Sequence, residues 1–444
     1  MSQFFEITCT EGAARTGIMR TAHGEVETPV FMPVATKGCV KLSDSIELQS
    51  FGAQALISNA YHLYLRPGTE IIQKAGGLHK FMGWDKTIFT DSGGFQMIRS
   101  GFDPRISGDF VEFKSPFDGA THRLTPEKCM EIQSALGSDV AMVLDHCPVH
   151  GASQEAVKDA TERTVKWAER CKKAWESIES GSLRVLESES HGSSIEGRES
   201  RTENGESRIE GRVASIEGTS LMPQSSSLTT HPSYLPQSRV ANHESRTTNL
   251  ESRISNSVLF AIAQGGTSPE LRSWCMEKLE ALDFPGYGIG GLCIGEKKED
   301  MWRAVDATMP LMPKEKPRYL MGVGAPDDIL NAVERGIDVF DSVFPTRNAR
   351  HGTIWASQGR INLDRREFLE DFRPLDPECK CPVCRNHSRA YVSHLLRVGE
   401  MEGMRLATIH NLYFTINLIK ELQIAVRESR FSSFKAEMLG KWGI

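Results

Sequence analysis

The stretch Ile88-Phe89-Thr90-Asp91-Ser92-Gly93-Gly94-Phe95-Gln96 is a short apolar run that ends in a polar, glycine-rich group. Runs of this kind, separated by longer segments with helical periodicity, are typical of alternating strands and helices. The pattern recurs along the chain in eight candidate strands: Thr28–Val34, Ala55–Asn59, Ile88–Asp91, Val140–Asp145, Leu259–Gln264, Gly286–Leu292, Arg318–Val323 and Val339–Phe344. Eight such units predict an α/β fold of the (β/α)8 TIM-barrel class, with an open doubly wound sheet as the alternative.

Three segments interrupt or extend this pattern. Phe110–Phe113 and His122–Leu124 flank a Pro-Phe-Asp-Gly turn and predict a hairpin between the third and fourth strands. After the eighth strand, a cysteine-rich segment precedes two helical stretches, Ser388–Glu400 and Ile409–Arg427, which predict an appended subdomain. Residues 179–253 are rich in Ser, Glu, Arg, Gly and Asn, and they carry short irregular repeats. This composition predicts a disordered, low-complexity insertion.

The sequence therefore divides into four parts. We expect residues 1–178 to form the first half of the barrel, 179–253 the insertion, 254–365 the second half, and 366–444 the cysteine-rich subdomain, interpreted below as zinc-binding, with the C-terminal helices. The formal net charge is −6, so any contact with a nucleic acid depends on a local basic patch. The sequence has no signal peptide and no apolar run long enough to cross a membrane, which predicts a cytoplasmic protein.

Three of the ten cysteines are clustered as Cys379-x-Cys381-x-x-Cys384, whereas the other seven are scattered singly. His410 lies at the start of a helical stretch further on, and His387 is a nearer alternative for a fourth ligand. Three thiolates and an imidazole suit a tetrahedral structural zinc ion. The sequence predicts one Zn²⁺ per chain, and incidental cysteines are the alternative interpretation.

Several predicted strands end in polar or glycine residues, and in a parallel barrel these strand ends meet at one face. They are Asp91, Asp145, Gln264, Gly291 and Asp341. Two carboxylates, Asp91 and Asp341, are suited to acid/base and nucleophilic chemistry at a glycosidic carbon. The remaining polar groups are suited to a flat, hydrogen-bonding ring. For each residue alone, a helix cap or a loop contact is the simpler interpretation.

Two further pairs extend this candidate site. Phe95 and Met321 are placed to sandwich a planar base, although core packing explains either residue alone. Arg347 and Arg350 follow Asp341 closely and are candidates to bind phosphates or bases beside the reacting nucleotide.

These residues lie within longer motifs that resemble one family, the tRNA-guanine transglycosylases, also called queuine tRNA-ribosyltransferases. The stretches that carry the resemblance are Glu25–Val34, Tyr61–Gly68, Thr90–Gln96, Arg318–Gly324 and Phe340–Arg347. The likeness covers nearly all of the chain outside 179–253. It implies a (β/α)8 barrel with a zinc subdomain, a homodimer formed through that subdomain, and a pentosyltransferase that works on tRNA in queuosine biosynthesis.

The resemblance also implies a role for each candidate residue. Asp341 resembles the nucleophile that attacks the ribose C1′ of the wobble guanine, and Asp91 resembles the general acid/base. The set that recognises the base is Asp145, Gln264 and Gly291, with Ser92, while Phe95 and Met321 resemble the stacking pair. The binders of flanking uridines in tRNAs with a GUN anticodon are Arg347 and Arg350. The zinc ligands are Cys379, Cys381, Cys384 and His410.

Three positions bear on which 7-deazaguanine base enters. Cys147 and Ile294 resemble the bacterial pocket for 7-aminomethyl-7-deazaguanine, whereas members that use queuine tend to have Val and Gly there. His146 stands where bacterial members usually carry an acidic residue, which affects the expected charge of the pocket. We expect the smaller base, with queuine as the alternative. A non-catalytic tRNA-binding accessory subunit and an O-glycoside hydrolase are the two rival functions.

Overall fold

A computed structural model describes residues 3–99, 104–181 and 257–444. The predicted insertion 179–253 lies outside the described residues apart from its first three positions. The strands are β1 Phe5–Glu11, β2 Ala14–Thr21, β3 Gly24–Thr28, β4 Val30–Pro33, β5 Ala55–Asn59, β6 Thr87–Asp91, β7 Arg105–Ile106, β8 Val111–Lys114, β9 Thr121–Leu124, β10 Val140–Met142, β11 Val258–Ala263, β12 Gly286–Ile289, β13 Arg318–Leu320, β14 Val339–Ser342, β15 Thr353–Ala356 and β16 Gly359–Asn362.

The helices of the described residues follow the same chain order. They are α1 Ser45–Phe51, α2 Ala60–Leu65, α3 Thr69–Lys74, α4 Leu78–Met82, α5 Gly94–Arg99, α6 Pro126–Leu136, α7 Gln154–Glu179, α8 Pro269–Glu280, α9 Lys298–Thr308, α10 Pro326–Glu334, α11 Phe344–Arg350, α12 Pro382–Asn386, α13 Arg389–Arg397, α14 Met401–Arg427 and α15 Phe431–Trp442. Within the described ranges, no helix is both long and apolar enough to cross a membrane.

Eight parallel strands form a barrel in the order β4-β14-β13-β12-β11-β10-β6-β5. The circle is completed by a parallel bridge between Val34 and Ile57, where the Ala35 N–H donates to the Ile57 carbonyl at 2.7 Å. All eight predicted strands are present: five are shorter than predicted, β5 has the predicted bounds, β6 is one residue longer and β11 is shifted by one residue. The prediction of a (β/α)8 barrel is therefore confirmed, and the open sheet is excluded.

The sequence specifies these elements locally. The strands are buried on both faces, because the barrel interior lies on one side and the helices on the other. Hydroxyl residues at the N-caps start several helices: Thr125 accepts from the Lys128 N–H, and Ser153 accepts from the Ala156 N–H. Trp167 on α7 is completely buried, and its indole N–H donates to the Gly108 carbonyl at 2.8 Å. Strong caps and continuous apolar strands explain why the alternation could be predicted.

Three smaller sheets accompany the barrel. The predicted hairpin is present as β8 and β9, with β7 added at its edge. An antiparallel sheet, β1-β2-β3, was not predicted, and Thr21 at its second turn hydrogen-bonds Thr87 at the start of β6. This sheet therefore contacts the N-terminal end of the barrel.

The C-terminal part of the chain is held against the barrel by α14. The Gln423 amide donates to the Pro29 carbonyl at 2.8 Å, and the Asn411 amide donates to the carbonyls of Pro345 and Thr353. Both predicted helices are present, as α13 and α14, although α14 already begins at Met401. The domain boundaries predicted from the sequence stay a prediction.

Candidate active site and metal centre

The C-terminal ends of the barrel strands open into a cavity of about 880 Å³. This volume is typical of small-molecule sites and accommodates a base with its ribose. Most of the site residues predicted from the sequence line it: Asp91, Ser92, Phe95, Asp145, Gln264, Gly291, Met321, Asp341 and Arg347. The convergence follows from parallel strands, each of which delivers its last residue to the same rim.

Asp341 on β14 is fixed by two donors on a single oxygen. Its Oδ1 accepts from the Tyr319 hydroxyl at 2.5 Å and from the Gly322 N–H at 2.9 Å. Burial raises the pKa of Asp341, while the two hydrogen bonds lower it. Of the described residues, none donates a hydrogen bond to Oδ2. The carboxylate of this cavity-lining residue is thus held by one oxygen, which leaves the other available for chemistry.

Asp91 at the end of β6 has a different environment. Its Oδ1 accepts from the Asn59 side-chain amide at 2.7 Å and from the Gly93 N–H at 3.0 Å, and the Gln96 amide lies 3.4 Å from Oδ2. Burial raises the pKa of Asp91 to about 7, and the negative charge of Asp341 contributes to the increase. A carboxyl group with this pKa exchanges protons readily near neutral pH.

Asp145 and Gln264 form a polar floor. The Gln264 amide donates to Asp145 Oδ2 at 2.6 Å, and Ser92 Oγ lies 3.4 Å from Oδ1. Burial raises the pKa of Asp145 to about 6. Gln264 Oε1 is buried and accepts no hydrogen bond from any of the described residues. An unsatisfied buried acceptor is costly, so this oxygen is suited to an N–H group of a ligand.

Gly291 allows the backbone to approach this floor. Its φ of +69° lies in the left-handed region, and a Cβ at this position would lie 2.3 Å from Gln264 Oε1. Any side chain here would therefore collide with the floor. The absence of one leaves the backbone beside Gln264 accessible from the cavity.

Phe95 and Met321 both line the cavity and are half-buried. Phe95 comes from the first turn of α5, and Met321 follows β13, so the two come from separate parts of the rim. They give the cavity apolar walls beside its polar floor.

The two arginines differ. Both lie on α11, but Arg347 is exposed and lines the cavity, whereas Arg350 lies outside its lining and donates to the Thr346 carbonyl at 2.9 Å. Burial lowers the pKa of Arg350, and the positive charge of neighbouring Arg347 lowers it further. The cavity itself therefore gains one cation from this helix.

His146 does not line the cavity, contrary to the expectation that it affects the charge of the pocket. Its Nδ1 accepts from the Arg163 guanidinium at 2.8 Å, and its ring packs on Trp167. Burial lowers the pKa of His146 to about 4, so the imidazole is neutral. Cys147 and Ile294 do line the cavity, as predicted.

The cysteine cluster is assembled as predicted. The donor atoms of Cys379, Cys381, Cys384 and His410 all lie within 4.8 Å of one another. His410 Nδ1 is directed at the sulfur atoms, because its Nε2 donates to the Trp355 carbonyl at 2.7 Å. His387 is not part of the cluster, and its ring stacks on Tyr391. Three thiols and an oriented imidazole can hold a metal ion with tetrahedral preference.

Sequence reasoning missed three residues that hold the carboxylates. Asn59 ends β5 and Gln96 lies on α5, so the rule that found the other strand-end residues could have included Asn59. Tyr319 is completely buried within an apolar strand, and nothing in its local sequence sets it apart from a core residue. Its contact with Asp341 depends on the pairing of β13 with β14.

Comparison with known proteins gives consistent results. A family model described as "Queuine tRNA-ribosyltransferase" matches residues 9–230 and 232–443. The chain is 43% identical over 430 residues to a queuine tRNA-ribosyltransferase of Thermoanaerobacter pseudethanolicus, covering 97% of this chain and 94% of that protein. It is 41% identical to the protein of the same name from Pelotomaculum thermopropionicum, and the match covers 100% of this chain and 99% of that protein. The identity to the protein from Bacillus velezensis is also 41%, over 98% of this chain and 94% of that protein.

Proposed function

The chain belongs to the queuine tRNA-ribosyltransferase family, the tRNA-guanine transglycosylases, and on this premise we propose how its own residues exchange a tRNA guanine for a 7-deazaguanine base. The enzyme is a pentosyltransferase, which moves a ribosyl group between two bases. The observation that carries the proposal is the pair Asp341 and Asp91 in one cavity, with contrasting environments.

Asp341 is the nucleophile. Attack of Oδ2 on the ribose C1′ forms an oxygen–carbon bond as the bond from C1′ to the guanine nitrogen breaks, leaving a covalent enzyme–RNA ester. Tyr319 and Gly322 hold Oδ1 and keep Oδ2 directed at the cavity. The incoming base then displaces Asp341 from C1′, so two displacements retain the configuration at this carbon.

Asp91 moves the protons. In its acid form it gives a proton to the departing guanine, and in its base form it takes one from the incoming base. A pKa of about 7 supports both directions. The proton that leaves with guanine is thereby recovered from the second base, and neither ATP nor water is consumed.

Asp145 and Gln264 recognise the purine-like base, with Ser92 and the backbone of Gly291 completing the floor. The unpaired Gln264 Oε1 takes an N–H of the ring, and Asp145 takes the exocyclic amine. Phe95 and Met321 stack on its two faces. Apolar walls and a hydrogen-bonding floor offset the cost of removing a base from its stack.

We infer that the incoming base is 7-aminomethyl-7-deazaguanine, because Cys147 and Ile294 line the cavity and match the residues that the family resemblance associates with the smaller base. Queuine is the alternative. An exchange assay with each base tests this inference. The wild type is expected to favour the smaller base, and Ile294→Gly is expected to improve the use of queuine relative to the smaller base. Equal rates with both bases in the wild type would contradict the inference.

The nucleic-acid substrate is a tRNA with a GUN anticodon, which implies a cytoplasmic location. Exposed Arg347 binds the RNA beside the flipped guanine, and Arg350 supports it from the next turn of α11. Arginine is well suited to phosphates and to the faces of unstacked bases.

The Cys3His cluster holds one structural Zn²⁺, through Cys379, Cys381, Cys384 and His410 Nδ1. The ion, when bound, links the cysteine-rich segment to the helix that carries His410 and contributes folding energy.

Exposed apolar side chains of this subdomain, on Phe372, Tyr391 and Met401, favour a homodimer formed through it. Sedimentation of the zinc-loaded protein tests the dimer.

The central experiment uses Asp341→Asn. The wild type incubated with tRNA and an unreactive base analogue is expected to form a covalent protein–RNA band in denaturing gels, which the variant lacks although it still binds tRNA. A covalent band with the variant would disprove the role of Asp341. Release of free sugar from O-glycosides by the wild type would indicate a glycoside hydrolase. Tight tRNA binding without exchange would indicate an accessory subunit.

A further inference from the structure

We propose that His23, His79 and Asp139 form a second metal site, for a divalent first-row transition-metal ion, at the N-terminal end of the barrel. Asp139 immediately precedes β10, so it lies at the opposite end of the strands from the catalytic cavity. His23 lies in the turn between β2 and β3, and His79 lies on α4. Three distant segments of the chain therefore converge here.

The donor atoms already face one another. His23 Nδ1 lies 2.7 Å from Asp139 Oδ1, and His79 Nε2 lies 3.0 Å from Asp139 Oδ2. All three donor atoms lie within 4.8 Å of one another. Adjacent ligands of a metal ion with bonds of about 2.1 Å are about 3 Å apart, so the donor atoms are close enough, and one ring must rotate relative to the other before both nitrogen lone pairs point at the same ion.

The arrangement of the two imidazoles distinguishes this cluster from an ordinary histidine–carboxylate pair. Their rings stack with centroids 3.5 Å apart and planes 15° apart, and both direct a nitrogen at one carboxylate. A second imidazole on the same carboxylate completes the two-histidine, one-carboxylate ligand set of many metal centres.

The surroundings of Asp139 are also those of a metal ligand. The Ile88 N–H donates to Oδ2 at 2.8 Å and fixes the carboxylate from behind. The carboxylate is therefore oriented by donors from three separate segments of the chain.

A cavity of about 30 Å³ adjoins the three side chains. It has room for about one water molecule, which can complete the coordination of a bound ion. The ligand set contains nitrogen and oxygen but no sulfur, which suits Zn²⁺, Co²⁺ or Ni²⁺ in a site of higher coordination number than the Cys3His cluster.

Trp175 on α7 and Ser257 also line this small cavity. They lie near the two points at which the described chain is interrupted by residues 182–256. A metal ion held here therefore joins the β2–β3 turn, α4 and β10 beside the base of that segment. The role we assign is structural, because this end of the barrel carries no catalytic residue of the proposed exchange reaction.

Titration of the zinc-loaded full-length chain with Co²⁺ tests the site. One additional Co²⁺ is expected to bind, with the weak visible absorption of nitrogen and oxygen ligands and no strong thiolate charge-transfer band. The thermal midpoint of unfolding is expected to increase upon binding. His23→Ala should weaken cobalt binding more than about a hundredfold, which exceeds the effect of losing a residue that only hydrogen-bonds to a metal ligand. The variant should retain the zinc ion of the Cys3His cluster.

His23 is part-exposed on a turn that Thr21 and Thr87 also hold, so the variant is expected to fold. His150→Ala removes an exposed imidazole elsewhere and is the matched control, with unchanged cobalt binding. Failure to bind a second ion in millimolar Co²⁺, or equal binding by the His23 variant, would overturn the proposal. A strong thiolate band would show that cobalt had replaced zinc, which also overturns it.

Discussion

Replacing Tyr319 with Phe removes one hydroxyl group that donates to Asp341 Oδ1 at 2.5 Å and leaves the Gly322 N–H in place. Tyr319 is completely buried, so phenylalanine fits the same space and the barrel is expected to fold. A hydrogen bond to a charged group contributes about 1.5–3 kcal/mol. Since one pKa unit corresponds to about 1.4 kcal/mol, its loss should raise the pKa of Asp341 by about one to two units.

The direction of the effect on activity follows from the nucleophile. Asp341 attacks only as the carboxylate, so activity is present above its pKa and is lost as the pH falls through it. We expect the acid limb of kcat/KM for tRNA to move up by about one to two pH units in Tyr319→Phe. The alkaline limb reports Asp91, whose pKa is about 7, and should remain in place.

The assay is release of labelled guanine from tRNA across a pH series, with the thermal midpoint measured for each variant. Tyr287→Phe is the matched control, because it removes another buried hydroxyl, one that accepts from the Phe284 N–H at the far end of β12. An acid limb that stays in place in Tyr319→Phe, or that moves equally in Tyr287→Phe, would refute the assigned role of Tyr319.

Three further predictions concern other parts of the chain. Asp91→Asn should reduce base exchange by about a hundredfold or more and abolish the limb near pH 7, so full activity would reassign proton transfer. Cys381→Ser should lose the zinc measured by metal analysis, whereas His387→Ala should retain it, and the reverse result would exclude the assigned ligands. Replacing residues 182–251 by a short Gly-Ser linker should leave base exchange and thermal stability nearly unchanged. The reason is that α7 ends and β11 begins at the end of the barrel opposite the cavity. Loss of tRNA binding in this variant would contradict the prediction.

The sequence alone determined the barrel strands and the chemistry at their ends. Each strand is a short apolar run bounded by polar or glycine residues, and parallel strands must place these ends on one face. Asp91, Asp145, Gln264 and Asp341 can therefore be grouped by their positions in the chain alone. The cysteine spacing likewise marked a metal centre, because three soft ligands within six residues have few other uses.

Only the tertiary structure decided which distant groups hydrogen-bond to the site residues and orient them. Tyr319 reaches Asp341 because neighbouring strands pair, and His410 joins the cysteines in place of the nearer His387 because the Trp355 carbonyl orients it. Such contacts join residues far apart in the chain, and local sequence patterns carry no information about which distant atoms meet. His23 and Asp139 meet for the same reason: the β1-β2-β3 sheet packs against the N-terminal end of the barrel, and no periodicity in the sequence encodes this contact.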